Sequence, residues 1–312
     1  MAQTPQSELR EDVEFRSHGA LLRGWLYPPR SETLRGAQGH PMVVMAHGLS
    51  MTRDGGLEPF AEAFAAAGCR VLVFDYRCFG DSEGEPRELV SVDRQLQDYR
   101  AAIAYARGLE GVDPERIALW GTSYSGGHVI ELAGKDRRIA AVISQVPNLD
   151  SLATLRSLLR NESPRRLLWL AAAIVRDALR GLLRRAPLYL RSIAPDGDHA
   201  AYVSAEGWEQ VEQFRGPNFR NRFAPRGFLR VPPYRPIRRM REIACRVLLI
   251  AAERDNLTPS SAVRRAAELA GPNAELISYP IGHFGAYVEP TLSDSLVHQV
   301  EFFARELAPP TA

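Results

Sequence analysis

The chain has 312 residues, of which 45% are apolar, and a formal net charge of +2. That length holds one large α/β domain or a core with an insertion, and so small a net charge gives no case for nucleic acid. Three cysteines cannot close into a set of disulfides, which fits a reducing compartment. Met1–Arg10 is polar and has no apolar stretch of the secretory-signal kind. The longest apolar run, Leu167–Val175, is cut off by Arg176 and Asp177, short of a membrane span. The expectation is a soluble, cytoplasmic protein without stable membrane insertion.

Met1–Leu9 reads as a loose tail. Val13–Phe15 and Leu21–Tyr27 read as an antiparallel hairpin turning at Ser17–Ala20. After the Gly- and Pro-containing loop Pro28–Gly39 comes Met42–Ala46, an apolar run of the buried-strand type that ends at His47-Gly48. Leu57–Ala67 has helical spacing. Arg70–Phe74 is a strand running into the turn-rich Asp75–Ser82. Val92–Arg107 is an amphipathic helix, with Ser91 as N-cap and Gly108 as stop. Asp113–Arg116 is a turn before the strand that begins at Ile117. Small residues then crowd around Ser123, a helix follows through His128–Leu132, and Ala140–Gln145 is again a strand. Strands alternating with helices specify an α/β class with a mostly parallel sheet, whose ligands sit beyond the carboxyl ends of the strands.

The rhythm stops after Gln145. Residues 147–240 read as a mainly helical cap, with helices at Leu152–Leu159, Leu167–Leu183 and Ala205–Phe214 and a turn region at Pro195–Tyr202. Its arginines, Arg156, Arg160, Arg165, Arg166, Arg176, Arg180, Arg184 and Arg185 among them, read as a solvated face; if several converge they would favour an anionic substrate, a membrane surface or an acidic partner. The α/β rhythm returns with the strand Arg246–Ala252, the helix Pro259–Leu269, the strand Glu275–Tyr279 and the helix Thr291–Leu307; Pro309 onward is tail. The domains are therefore 1–146 and 241–312 as two parts of one core, and 147–240 as the cap.

Chemistry centres on Gly121-Thr122-Ser123-Tyr124-Ser125-Gly126-Gly127. A serine on a sharp strand-to-helix turn is pushed out at the top of the sheet, with the next backbone N–H pointing the same way. Such a turn needs small residues two before and two after. Gly121 supplies one, and Ser125 stands where glycine is usual. Ser125 between Ser123 and Gly127 offers a second register, but it lies far past the strand. The bland alternative is a glycine- and serine-rich helix start that packs or binds an anion. A serine nucleophile needs a base, and the base an orienting acid. His283 follows one late strand and Asp255 the one before it, in the order Ser, Asp, His. Glu253 is the local rival for the acid. The oxyanion hole would be the backbone N–H groups of Leu49 and Tyr124. His47 reads as a packed residue holding its loop, His128 as structural, and Cys78 as a wall residue. Cys69 and Cys245 read as buried. Trp169, Phe214 and Tyr234 would line the pocket or form the cap's own core. No zinc-type His or Cys spacing and no dinucleotide fingerprint occurs, so neither a metal nor a cofactor is expected.

These anchors resemble the α/β-hydrolase superfamily over Val13–Gln145 and Cys245–Leu307. More narrowly, Phe74–Arg87 and Trp120–His128 are similar to X-Pro dipeptidyl-peptidase-like and dienelactone-hydrolase-like proteins, a branch in which Ser125 for glycine looks regular. At Cys78 the sequence departs from the frequent glycine. The resemblance implies an α/β-hydrolase fold and a serine hydrolase with Ser123 as nucleophile, His283 as general base and acid, and Asp255 as orienting acid. A carboxylic ester of a small molecule is the expected substrate. A peptidase or amidase, a C–C bond hydrolase and a non-catalytic binding protein are the competing functions. The Arg-rich helices leave room for a homodimer.

Overall fold

The computed structural model describes residues 9–197 and 199–309. The tails expected at 1–9 and after Pro309 fall, apart from Leu9 and Pro309, outside those residues. An eight-stranded sheet runs through the molecule in the order β1-β2-β4-β3-β5-β6-β9-β10. Its strands are β1 Glu11–Ser17, β2 Ala20–Tyr27, β3 His40–Ala46, β4 Arg70–Phe74, β5 Val112–Thr122, β6 Ile139–Gln145, β9 Arg246–Ala252 and β10 Ala274–Tyr279. The β1–β2 hairpin is antiparallel and β2 joins β4 antiparallel; from β4 to β10 every pairing is parallel.

All seven residues of β3 are buried, as strands covered on both faces require. Alternation splits the core in two. Met42, Val44, Leu72, Phe74, Ile117 and Leu119 face one side and pack with the helices α2 Val92–Arg107 and α3 Tyr124–Ala133. Val43, Met45, Val71, Val73 and Trp120 face the other and meet Phe60 and Phe64 of α1 Glu58–Ala66 and Phe302 and Phe303 of α8 Thr291–Glu306. The helix expected after Thr258 is α7 Ser260–Ala270.

Asp113–Arg116 is not a turn outside the sheet. It is extended and belongs to β5, but bulged: two steps along β3, from His40 to Met42, correspond to five along β5, from Val112 to Ile117. Asp113 Oδ1 accepts from the Glu115 N–H at 3.1 Å, the local turn its sequence announces.

The segment 147–240 holds three helices, α4 Ser151–Asn161, α5 Pro164–Leu182 and α6 Ala205–Phe214. It also holds a short parallel pair, β7 Arg191–Ala194 with β8 Ala200–Val203, the second starting inside the expected turn region Pro195–Tyr202. Asn221 stitches this pair to the rest: its Oδ1 accepts from the N–H groups of Ser192 and Ile193, and its Nδ2 donates to Ile193 O. Arg166 departs from the solvated face. It is buried, and its Nη2 donates to the carbonyls of Ala200 and Ala201, tying α5 to β8. Cys69 is buried as expected, whereas Cys245 is only half-buried. Among the described residues no helix is long and apolar enough to cross a membrane.

Candidate active site

Because β3, β5, β9 and β10 run parallel, the loops after them emerge on one rim. Ser123 follows β5 directly and caps α3, with φ 54° and ψ −113°. A non-glycine residue at positive φ costs of order 1–3 kcal/mol and persists only where its surroundings over-determine it. Here they do. The Ser123 N–H donates to Gln145 O at 2.8 Å, and its carbonyl accepts from the Asn148 N–H at 2.8 Å. Gly121 is required as well, since a Cβ there would stand 2.3 Å from Ser125 O.

Ser125 is fully buried, and its hydroxyl does not face the rim. It donates to Ala46 O at 2.7 Å and accepts from the Thr122 N–H at 2.8 Å. The serine in place of glycine thus clamps the end of β3 to the elbow after β5. Ser125→Ala is expected to destabilise the fold by about 2 kcal/mol, because a buried N–H and a buried carbonyl lose their partner. Urea unfolding measures this loss. Labelling by a fluorophosphonate should persist in the variant; its disappearance would hand the nucleophile role to Ser125.

His283 opens the 3₁₀ turn His283–Tyr287 after β10. Its Nε2 lies 2.9 Å from Ser123 Oγ and its Nδ1 lies 2.6 Å from Asp255 Oδ2. Asp255 sits in the loop after β9. Its Oδ1 accepts from the N–H groups of Leu257 and Thr258, each at 2.8 Å, and its Oδ2 from Thr258 Oγ1 at 2.7 Å. The structure therefore brings Ser123, His283 and Asp255 into one hydrogen-bonded line. The Glu253 carboxylate is elsewhere, exposed and 3.9 Å from Arg264 Nη1. Thr258 is a member the sequence reading missed, and a threonine three residues after an acid was its only signal.

Leu49 and Tyr124 both line the cavity beside Ser123. Tyr124 is the first residue of α3, so its N–H has no intrahelical acceptor. The Leu49 N–H has no backbone acceptor among the described residues. Gly48 lets this loop approach closely, since a Cβ there would stand 3.1 Å from Ser123 Cβ.

His47 is buried, with Nδ1 2.9 Å from Gly48 O, and burial pulls its pKa down. His128 is also buried, with Nδ1 2.7 Å from Tyr234 OH and Nε2 3.2 Å from Gln95 Oε1; burial drives its pKa down to about 3, so it is neutral. The loop after β4 is held by charges. Arg53, unnoticed in the sequence, pairs with Asp75, and its Nη2 meets Asp81 Oδ2 at 2.7 Å. Arg77 Nε donates to Asp98 Oδ1 at 2.7 Å. Cys78 is no wall residue. It is buried and absent from the cavity lining, at φ 74°, where glycine would be at ease.

The cavity over Ser123 has a volume of about 360 Å³. Its far wall comes from 147–240, through residues such as Leu155, Leu170, Ile174, Leu190, Ile193 and Phe223. Among the described residues no Asp, Glu, Lys or Arg lines it. Of the three aromatics singled out in the sequence, Phe214 lines it, whereas Trp169 and Tyr234 do not; Tyr234 is spent on His128. Among the described residues no group of three His, Cys, Asp or Glu side chains is placed to hold a metal ion.

An elbow serine on this sheet order defines a hydrolase architecture, and the comparisons agree. The model of the alpha/beta hydrolase family matches residues 43–290, and the chain belongs to that family. It is 38% identical over 303 residues to the quorum-quenching protein AidA of Acinetobacter baumannii, covering 96% of each chain. It is 32% identical over 313 residues to the polyketide transferase ATR5 of Stachybotrys chlorohalonatus, covering 96% of this chain and 98% of the relative. Among solved structures it is similar to the alpha/beta hydrolase GrgF from Penicillium sp. sh18, with TM-score 0.78, 25% identity, and coverage of 96% and 99%.

Proposed function

We propose that this chain is a serine hydrolase that cleaves carboxylic esters carrying an extended apolar group. The observation that supports it best is the Asp255–His283–Ser123 line opening on a largely apolar cavity. Ser123 Oγ attacks the ester carbonyl while His283 Nε2 takes its proton. The backbone N–H groups of Leu49 and Tyr124 hold the oxyanion, helped by the positive end of α3. His283 then protonates the leaving alcohol. Water, deprotonated by His283, releases the acid and restores Ser123. Asp255 holds the imidazole in the tautomer this requires, and Thr258 holds Asp255. In this reading 147–240 is a cap over the two parts of the core, and the enzyme works in the cytoplasm.

A peptidase anchoring a charged amine is disfavoured, since no carboxylate lines the cavity among the described residues. The hydrogen bonds of Ser125 suit a placement near the X-Pro dipeptidyl-peptidase-like and dienelactone-hydrolase-like branch, without implying either activity. A second reading, acyl transfer to an acceptor other than water, is favoured by the relative named a polyketide transferase. Turnover of p-nitrophenyl esters from two to twelve carbons, beside a matched amide and a diketone, tests the proposal. Ester cleavage rising with chain length is expected. A folded protein that cleaves only the amide or only the diketone would overturn the ester reading. Product partitioning with an added alcohol or thiol separates hydrolysis from transfer.

A further inference from the structure

The outer face of α5 is apolar and uncovered. Leu168, Val175, Leu179 and Leu182 are spaced so that they share one side of the helix, and Leu182 and Leu168 are 80% and 71% exposed. Leu159 at the end of α4 and Leu183 just after α5 are also more than half exposed. Leu170 and Ile174 face the other way, into the cavity. Arg165, Arg176, Arg184 and Arg185 on and just after α5, and Arg156 and Arg160 on α4, are all exposed. Only two acidic residues fall within 151–185, Glu162 and Asp177. Both are consumed, Glu162 by Arg166 at 2.9 Å and Asp177 by Arg226 at 2.8 Å.

We propose that α5 lays this face on an anionic lipid surface. A helix with a long apolar stripe bordered by arginines lies in the plane of a membrane interface, its apolar side among the acyl chains and its cations at the headgroups. Docking is peripheral, since no described helix can cross a bilayer. Charge favours this occupant over a second copy of the chain. Stripe-to-stripe pairing would bring both sets of arginines together with no carboxylates in 151–185 left to neutralise them. One helix would then contact lipid on one side and line the cavity on the other, giving an apolar ester a short way in. That consequence rests on the Ser123 reading; the docking does not.

The full-length protein is sedimented with vesicles of phosphatidylcholine alone and of phosphatidylcholine with phosphatidylglycerol, at rising salt. Binding to the mixed vesicles is expected, weakening as salt rises. Partition should fall about tenfold or more in Leu168→Ser/Leu179→Ser/Leu182→Ser and in Arg176→Gln/Arg184→Gln/Arg185→Gln. All six side chains are exposed, and circular dichroism checks that each variant is folded. No binding to phosphatidylglycerol vesicles, or binding that both variants retain, overturns the proposal. A dimer in sedimentation equilibrium that the leucine variant dissociates, without vesicle binding, replaces it with contact between copies. Capture on immobilised polyglutamate without vesicle binding replaces it with an acidic protein partner. Turnover of a short soluble ester without vesicles reports the Ser123 reading separately, so the two stand or fall apart.

Discussion

Ser123→Ala is expected to lower ester turnover by about 10⁴- to 10⁶-fold and to abolish fluorophosphonate labelling. Among the described residues no other hydroxyl is hydrogen-bonded to His283 Nε2. Ser125 is fully buried with its oxygen committed to Ala46 and Thr122. Thr122 Oγ1 is bonded to Tyr287 OH. His283→Ala should cost about as much, because Ser123 Oγ loses the Nε2 acceptor 2.9 Å away. The double variant should be scarcely worse than either, since the pair acts as a unit. Asp255→Asn should lose about 10³- to 10⁴-fold, as its carboxamide can settle the imidazole in the wrong tautomer. KM should change little in all three, because the apolar walls that grip the substrate are untouched. Steady-state kinetics with a medium-chain ester checks this. Unchanged kcat in Ser123→Ala, with labelling retained, would remove Ser123 from the chemistry.

The parts of this arrangement that the sequence shows are those set by local rules. Strands buried on both faces leave apolar runs such as Met42–Ala46 and Arg246–Ala252, and the loops just beyond them hold Leu49 and Asp255; His283 follows the half-exposed edge strand β10. The parts it hides depend on chain crossings. β7 and β8 are four residues each, too short to show a period, and β8 follows a proline- and glycine-containing turn. The Arg53–Asp75 and Asp177–Arg226 pairs join distant segments, so nothing local marks them. Arg166 reads as solvated by type, yet is buried because two carbonyls and Glu162 converge on it. Cys78 occupies a positive φ that only the loop's closure imposes. Ser125 is the instructive residue: a departure from the expected glycine that the structure turns into one hydrogen bond to the end of β3 and one within the elbow.

Asp177→Ala is expected to destabilise the segment 147–240 by about 3–5 kcal/mol and, with it, the preference for long acyl chains. Asp177 is fully buried on α5. Its Oδ1 accepts from the Leu188 N–H at 2.7 Å and Arg226 Nη2 at 2.8 Å; its Oδ2 accepts from the Arg226 N–H at 2.8 Å and Arg226 Nε at 2.9 Å. One carboxylate thereby joins α5 to the turn Pro225–Arg230, and both elements line the cavity, through Leu170 and Ile174 on one and Pro225 and Phe228 on the other. Alanine would leave a guanidinium and two backbone N–H groups without their acceptor. Asp177→Asn should cost less, since its oxygen still accepts. Turnover of a twelve-carbon ester should fall more steeply than that of a two-carbon ester, because only the longer chain needs the distant wall. The same group sets a pH dependence. Burial alone would raise the Asp177 carboxyl, but the bonds from Arg226 and from the N–H of Leu188 outweigh it and hold the pKa below the usual aspartate value. Asp150 is held low in the same sense, against its own burial, by Arg235 and the N–H groups of Ala153 and Leu152. A carboxyl whose folded pKa is depressed contributes its full stability above the unfolded value, about 3.9, and loses it as pH falls through the folded one. Chemical denaturation from pH 6 down to pH 3 should therefore show the wild type losing stability in acid, and Asp177→Ala losing less over the same range. Parallel losses in the two proteins would mean that Asp177 does not hold this wall.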